Sequence, residues 1–540
     1  MSSASPEPVP AGSSGEPSAA PLTAAALPPS ATTAKPDPKT GGVGFSSDMA
    51  VLAREIDTSV QLPTLLFFLS SISWLLIGSA LATIASLKLS LPNFLADVSW
   101  LTFGRVHPAG TNAMLYGWEF SLGIGLGLWL LARLGRTPLR HGGVLTAAWA
   151  LWNLGVTLGV ISILYGQGTS YPGLEFPRYV SPIMFTAFVF IAIWALMLFR
   201  ERHDKSAYIS QWYALAAFLW FPWIYGTANL VVFFLDAQAA AQAIVAAWYT
   251  HNVVNTFLVP LALAGAYYMV PKATGEPIHR YRWARVGFWT WLLFSGWSSA
   301  YSLIGGPVPA WILSVSIAAT VLSLVPLTAI MTNLLGSTRK NKATSRHSPS
   351  FRFVSVATVC FLAAVLFQVL TAFRSVNEVT HFTLLTAAGA QLLTYGFVGF
   401  VFFGATYYMV PRLLNTEWES PALIRAHFWL AMVGLGLAVA CFGIGGLVQG
   451  FGLDDPKVPA SAILSFIKPF LAAQWVAVLI LTAGHICLAA SFLLVLLRVV
   501  WANPDVQRAA LLLPRPGAAR ASVTPAASPA PATAAAASVP

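Results

Sequence analysis

One histidine and two asparagines interrupt an otherwise apolar stretch of the sequence, the segment from Trp248 to Asn255. The ionisable residue is His251. An ionisable side chain at bilayer depth costs about 2.5 kcal/mol or more on insertion scales, so it is a functional-site hypothesis by default. Three roles stay open for His251: a polar contact that is hydrogen-bonded within a helix bundle, a metal ligand, and a proton or substrate role.

A second ionisable side chain, Glu119, lies about nine residues into another apolar segment, which begins near residue 110. A carboxylate at that depth is either neutral or paired with another group. Two roles follow for Glu119: a structural hydrogen bond, or a part in a proton path.

An internal repeat surrounds His251. The string Tyr-Tyr-Met-Val-Pro at residues 267–271 recurs at residues 407–411, an offset of 140, and Phe-Trp at 288–289 recurs at 428–429 with the same offset. His251 maps onto Gln391. Repeats of this kind in membrane proteins often frame a site near the midplane. We therefore expect His251 and Gln391 to face the protein interior at similar depth.

The composition predicts a polytopic membrane protein. The chain has 540 residues, of which 57% are hydrophobic and 9% charged, and it contains 20 Trp. Its net charge of +11 does not indicate a nucleic-acid partner, because the basic residues lie in short loops, as membrane topology requires. The three cysteines lie in apolar segments without paired spacing, so neither a disulfide framework nor a thiol metal site is indicated.

The sequence divides into one membrane domain, residues 61–502, between two tails that are rich in Pro, Ala and Ser. The tails, residues 1–60 and 503–540, are predicted to be disordered and cytoplasmic. Twelve apolar segments of the domain are long enough to cross a bilayer. They are residues 64–89, 110–133, 143–167, 180–199, 208–237, 240–270, 284–305, 308–335, 351–374, 379–410, 424–450 and 468–501.

Basic residues follow every even-numbered segment from the second to the eighth, as at Arg136, Arg202 and Arg339, whereas the opposite loops carry isolated charges or acidic pairs. The positive-inside rule then places both termini in the cytoplasm. The chain is predicted to be a multi-pass protein of the cell membrane, of the bacterial cytoplasmic type.

Several separated strings carry a family resemblance: Gly-Arg-Val-His-Pro-Ala-Gly-Thr-Asn-Ala at 104–113, Tyr-Thr-His-Asn at 249–252 and Val-Asn-Glu-Val-Thr-His-Phe-Thr at 376–383. With the twelve segments, they resemble subunit I of the haem-copper oxidases, most closely the cbb3 type, over about residues 60–500. The resemblance implies an all-α bundle of twelve transmembrane helices. It also implies two haems b, a copper ion and a respiratory activity: cytochrome c oxidation, oxygen reduction and proton translocation.

The same resemblance locates the family's haem ligands on residues that have no imidazole. The low-spin haem ligands fall on Gly110 and Gln391, and the high-spin ligand falls on Gly389. Residues 389 and 391 point about 200° apart on a helix, which is how one helix serves two haems in the family. The nearest imidazole that could substitute at Gly110 is His107, one helical turn earlier.

The same resemblance also locates the family's copper ligands on residues of this chain. His251 matches one of the three copper histidines, and Tyr301 and Ser302 fall on the other two. The family's cross-linked tyrosine falls on Ser295, and a glutamate ahead of the tenth helix falls on Phe367. Five of the six expected histidines are therefore replaced. Because haem iron needs an axial donor and copper needs converging imidazoles, we expect neither haem nor copper to bind.

Three functions remain open. The first is a degenerate, non-catalytic scaffold subunit in the lipid bilayer, associated with other respiratory-complex subunits or c-type cytochromes, and this reading is preferred. The second is an active haem-copper oxidase subunit I. The third is a transporter or proton-conducting protein that reuses the bundle. Fold alone does not choose among them.

Overall fold

The computed structural model describes residues 43–339 and 348–502. Twelve long helices run through these two ranges, one for each predicted apolar segment, so the predicted all-helical membrane bundle is confirmed. The helices are α1 (Val43–Ser90), α2 (Phe103–Gly135), α3 (Gly142–Leu164), α4 (Ser181–Arg200), α5 (Ile209–Phe234), α6 (Ala239–Thr274), α7 (Tyr281–Ser295), α8 (Ala310–Thr338), α9 (Pro349–Ala372), α10 (Leu385–Leu414), α11 (Pro421–Asp454) and α12 (Ala460–Ala502).

Helix α7 differs from the predicted segment 284–305. Eleven helices in the described ranges are long and apolar enough to cross a membrane, and α7, with 15 residues, is not among them. It ends at Ser295 because serine hydroxyls beyond it bond to nearby carbonyls: Ser298 Oγ donates to Ser295 O at 3.0 Å, and Ser302 Oγ donates to Ser299 O at 2.9 Å. Such local bonds compete with helix continuation, so the prediction of one continuous span was wrong here.

Helix α1 begins at Val43, so the prediction of a disordered tail was wrong for residues 43–60. Ile56 and Val60, four residues apart and therefore on one helix face, are 2% and 1% exposed. Burial of this apolar face stabilises the helix well ahead of the predicted first span. The rest of the predicted tails, residues 1–42 and 503–540, lies outside the described residues.

The helices that carry the haem-ligand positions and His251 are the most buried spans of the described ranges. The apolar windows of α2, α6 and α10 are 89%, 94% and 67% buried, compared with 39–56% for the other candidate spans. Helix α6 packs against both α2 and α10, while α1 packs against α2 and α12. The bundle therefore places Gly110, His251, Gly389 and Gln391 on its central helices.

Each central helix widens into a π-helical segment close to a predicted ligand position: residues 113–119 in α2, 253–258 in α6 and 392–399 in α10. Adding 140 to 253–258 gives 393–398, which lies inside the segment of α10. The internal repeat is thus a repeat of backbone geometry as well as of sequence. Segments of π-helix are frequent at functional sites.

Candidate functional site

His251 is held by hydrogen bonds inside the bundle. Its Nε2 lies 2.8 Å from Ser298 Oγ, which donates its single proton to Ser295 O. Nε2 therefore donates to Ser298, and Nδ1 is left as the acceptor, 3.5 Å from Asn255 Nδ2. The tautomer is assigned from this network. His251 thus makes hydrogen bonds in the interior, and the metal-ligand role and the proton or substrate role stay predictions.

A cavity of about 710 Å³ brings several of the predicted site residues together. His251, Tyr301, Ser302 and Gly389 all line it, so three copper positions and the high-spin haem position share one space. Gly110, Gln391 and Glu119 do not line it. The remaining wall residues include hydroxyl, amide and imidazole side chains: Thr250, Ser299, Gln368, Thr371, Asn377, Thr380, His381 and Thr386.

The wall of this cavity at Gly389 is covered by the ring of Phe367. A Cβ atom at position 389 would lie 2.4 Å from Phe367 Cδ1 and 2.4 Å from its Cε1. Real Cβ atoms essentially never approach another atom that closely. A histidine at 389 therefore requires Phe367 to move, and the residues present do not fit a high-spin haem with an axial ligand at this position.

The low-spin haem positions lack donors as well. A side chain at Gly110 would contact α1, because its Cβ would lie 3.1 Å from Leu81 Cβ and 3.4 Å from Ala82 N. Gln391 faces inward, and its Oε1 is buried without a hydrogen-bond partner among the described residues. His107 is exposed, with its ring 5.2 Å from that of Phe103. These residues do not fit a bis-histidine haem.

The copper positions offer one imidazole, one phenol and one hydroxyl. The Ser302 hydroxyl already donates to Ser299 O, and His251 Nε2 is bonded to Ser298. Within residues 43–339 and 348–502, no group of three or more His, Cys, Asp or Glu side chains could hold a metal ion. A divalent copper site prefers several converging imidazoles, so this donor set does not fit copper.

Glu119 is the last residue of the π segment of α2 and is 5% exposed. No hydrogen bond or ion pair joins its carboxylate to another described residue, which contradicts the expected structural hydrogen bond. Its neighbour Phe120 stacks on Phe257 at 4.2 Å and on Trp152 at 5.5 Å between ring centroids. A proton role for Glu119 remains a prediction.

Two buried histidines, His427 in α11 and His485 in α12, were not among the predicted site residues. His485 bonds Ser79 Oγ through Nδ1 and Tyr395 OH through Nε2, both at 2.7 Å. His427 Nδ1 bonds Tyr407 OH at 2.8 Å. Each is a lone histidine in a long apolar run, the same signal that singled out His251, and applying that signal to every span would have found both.

An acidic side chain of the α3–α4 loop reaches α2 next to Gly110. Asn112 Nδ2 donates to Glu175 Oε2 at 3.1 Å. Burial raises the pKa of the Glu175 carboxyl above its ordinary value of 4.5, and the hydrogen bond from Asn112 opposes part of this rise.

The profile of the family described as "Cytochrome C and Quinol oxidase polypeptide I" matches residues 63–486, well over half of the chain. The chain belongs to this family. It is a haem-copper oxidase subunit I homologue.

Curated relatives agree with this membership. The chain is 26% identical over 417 residues to "Cbb3-type cytochrome c oxidase subunit CcoN1" of Stutzerimonas stutzeri, covering 76% of this chain and 88% of the relative. It is 24% identical over 397 residues to "Cytochrome c oxidase subunit 1 homolog" of Azorhizobium caulinodans, covering 71% of each.

A solved structure has the same fold. The cryo-EM structure of a heme-copper terminal oxidase dimer matches with a TM-score of 0.63 and 16% identity, covering 82% of this chain and 84% of that chain. At this identity the match concerns the fold alone. The helical bundle described above therefore has the fold of that structure.

Proposed function

We propose that this homologue is a scaffold subunit of the cell membrane, related to the cbb3-type subunit I, without a haem-copper centre of its own. The observation that carries the proposal is the contact between Phe367 and Gly389. A phenyl ring at 2.4 Å from the Cβ position fills the place where the family's high-spin haem ligand would begin. Chemistry depends on the site rather than on the fold.

The other ligand positions support the same proposal. For both haems and the copper ion to bind, neighbouring residues would have to replace the missing ligands at three separate metal centres. At Gly110 a new side chain would meet the backbone of α1, and at Gln391 the amide already occupies the interior. The one surviving imidazole, His251, is engaged by Ser298.

The relatives named as cytochrome c oxidase subunits support a respiratory setting. We propose that the chain associates with other respiratory-complex subunits or c-type cytochromes, and that both termini are cytoplasmic. Reporter fusions at residues 140 and 203 should report cytoplasm, and fusions at 172 and 455 should report the outside. A cytoplasmic signal at 172 would refute this orientation. A further fusion at 345, outside the described residues, should also report cytoplasm.

Oxygen uptake distinguishes the scaffold from an active oxidase. The full chain, purified in mild detergent with its co-purifying subunits, is supplied with a reduced c-type cytochrome, and the Stutzerimonas stutzeri relative prepared in the same way is the matched control. We expect uptake by the control, and any uptake by the preparation of this chain to be unchanged in His251→Ala. Sustained uptake that His251→Ala abolishes would restore the oxidase reading, because uptake by an associated oxidase does not depend on this residue.

A second candidate, proton conduction, is favoured by the buried chain of hydrogen bonds Ser79–His485–Tyr395. Imidazole and hydroxyl groups in series can pass a proton. Proteoliposomes that contain a pH-sensitive dye test this directly. Proton flux above that of empty liposomes, abolished by His485→Phe, would support conduction, and flux equal to empty liposomes would exclude it.

A further inference from the structure

A pocket of about 380 Å³ lies where α2 and α6 end, on the side predicted to be cytoplasmic. Its cationic wall consists of Arg133, Arg136 and Lys272, and we call it the basic pocket. Helix α1 closes one side with Leu52 and Ile56. Other wall residues come from the start of α5, from the loop before α7 and from the first residue of α7: Tyr208, Ile209, Ser210, Pro277, Ile278 and Tyr281.

The cations in and beside the basic pocket outnumber the carboxylates that face them. Arg133 pairs with Asp57 at 2.9 Å. Arg136 and Lys272 form no ion pair with any residue in the described ranges, although the Asp204 carboxylate lies within electrostatic range of Arg136. Arg412, the equivalent of Lys272 in the repeat because 272 plus 140 is 412, lies close enough for the two charges to repel each other. The pocket therefore carries excess positive charge.

The backbone at Arg136 also favours a role for its side chain. Arg136 follows the last turn of α2 with φ 51° and ψ 41°, the left-handed region that glycine usually occupies after a helix. An arginine in that conformation is strained. Arg136 lines the pocket from this conformation.

The rim and the remaining wall identify the chemistry of the occupant. Tyr208 and Tyr281 at the rim are 43% and 39% exposed, and tyrosine is enriched at the headgroup level of membranes. Leu52, Ile56 and Ile278 give the pocket an apolar surface beside its cations. Basic pockets between helices on the cytoplasmic side recognise anionic lipid headgroups. We propose that the basic pocket binds the headgroup of an anionic phospholipid of the cytoplasmic leaflet.

Thermal unfolding of delipidated protein in neutral detergent tests the proposal. The full chain is titrated with dioleoylphosphatidylglycerol and, separately, with the zwitterionic dioleoylphosphatidylcholine. We expect a saturable rise in melting temperature with phosphatidylglycerol only. In Arg136→Gln/Lys272→Gln the half-saturating concentration should rise by about tenfold or more, since each basic residue contributes to anionic-lipid attraction.

The matched control is a double variant that loses the same charge at another place on the side predicted to be cytoplasmic. Arg200→Gln/Lys205→Gln removes two exposed cations outside the pocket and should keep the wild-type titration. Equal weakening in both double variants would show general surface attraction and would overturn the proposal. If the pocket variant does not fold, native mass spectrometry of the wild type with an equimolar mixture of both lipids decides: retention of phosphatidylglycerol supports the site, and equal retention contradicts it.

Free anions test whether the pocket binds a phospholipid or a soluble anion. Inorganic phosphate and glycerol phosphate carry the charge of the headgroup without acyl chains. They should not reproduce the shift at the lipid's half-saturating concentration. If they do, the pocket is a site for soluble anions and the phospholipid assignment is wrong.

Discussion

Helices α6 and α10 place different side chains at equivalent positions, 140 residues apart. His251 of α6 is hydrogen-bonded through Nε2 to Ser298, whereas Gln391 of α10 buries an Oε1 without a partner among the described residues. Two residues earlier, Tyr249 fills the interior and bonds Tyr116 OH at 2.6 Å, whereas Gly389 has no side chain and lies under Phe367. The polar side chain of α6 thus has a hydrogen-bond partner, and that of α10 has none among the described residues. Beside it, Phe367 packs over Gly389.

The backbone of the two helices has diverged much less. Both contain a π segment at the same place in the repeat, and both end in Tyr-Tyr-Met-Val-Pro. Near those ends the rings of Tyr268 and Tyr408 meet at 5.8 Å. The two helices thus share their backbone geometry and their Tyr-Tyr-Met-Val-Pro ends, whereas their side chains at residues 251 and 391 differ.

The largest effect is expected at Gly389. Gly389→Ala places a Cβ atom 2.4 Å from the Phe367 ring, and we expect it to lower the stability by about 1–3 kcal/mol, as overpacking does. Gly436→Ala is the matched control, because a Cβ atom there has nothing within 4 Å. Thermal unfolding in detergent measures both, and Phe367→Ala should relieve the Gly389 variant. Equal melting of the two glycine variants would contradict the contact.

Leucine at the two equivalent positions should act in opposite directions. His251→Leu removes the buried hydrogen bond from Nε2 to Ser298 Oγ and should destabilise by about 1–3 kcal/mol. Gln391→Leu removes a buried, unpaired carbonyl oxygen and should be neutral or stabilising by about 1 kcal/mol. The same unfolding assay compares them. Destabilisation of equal size at both positions would remove the distinction between α6 and α10.

A smaller effect is expected at α2, the central helix outside the repeat. The pKa of Glu175 is raised by burial, so the folded protein holds this proton more tightly than the unfolded chain. Its contribution to stability is then complete below about pH 4.5 and is lost as pH rises through the raised pKa. Glu175→Gln should flatten this part of the stability profile. An unchanged slope in the variant would assign the pH dependence to another group.

The sequence alone predicted the membrane-spanning segments, because long apolar runs mark them regardless of tertiary contacts. It also predicted that His251 and Gln391 face the interior, since the repeat fixes their register. The contact of Phe367 with Gly389 joins α9 to α10, and no local pattern encodes which ring covers which glycine. The length of helix α7 was overestimated because hydropathy does not take account of serine hydroxyls that bond to backbone carbonyls three residues earlier.

The most direct measurement is the haem and copper content of the full chain, purified from a host that makes both cofactors. Pyridine haemochrome analysis and metal analysis give moles per mole of protein, with the Stutzerimonas stutzeri relative as control. We expect no Soret band above background, no stoichiometric copper, and no copper-dependent change in melting of either the wild type or His251→Ala. One haem per chain, or a copper-dependent rise in melting abolished by His251→Ala, would contradict the scaffold proposal.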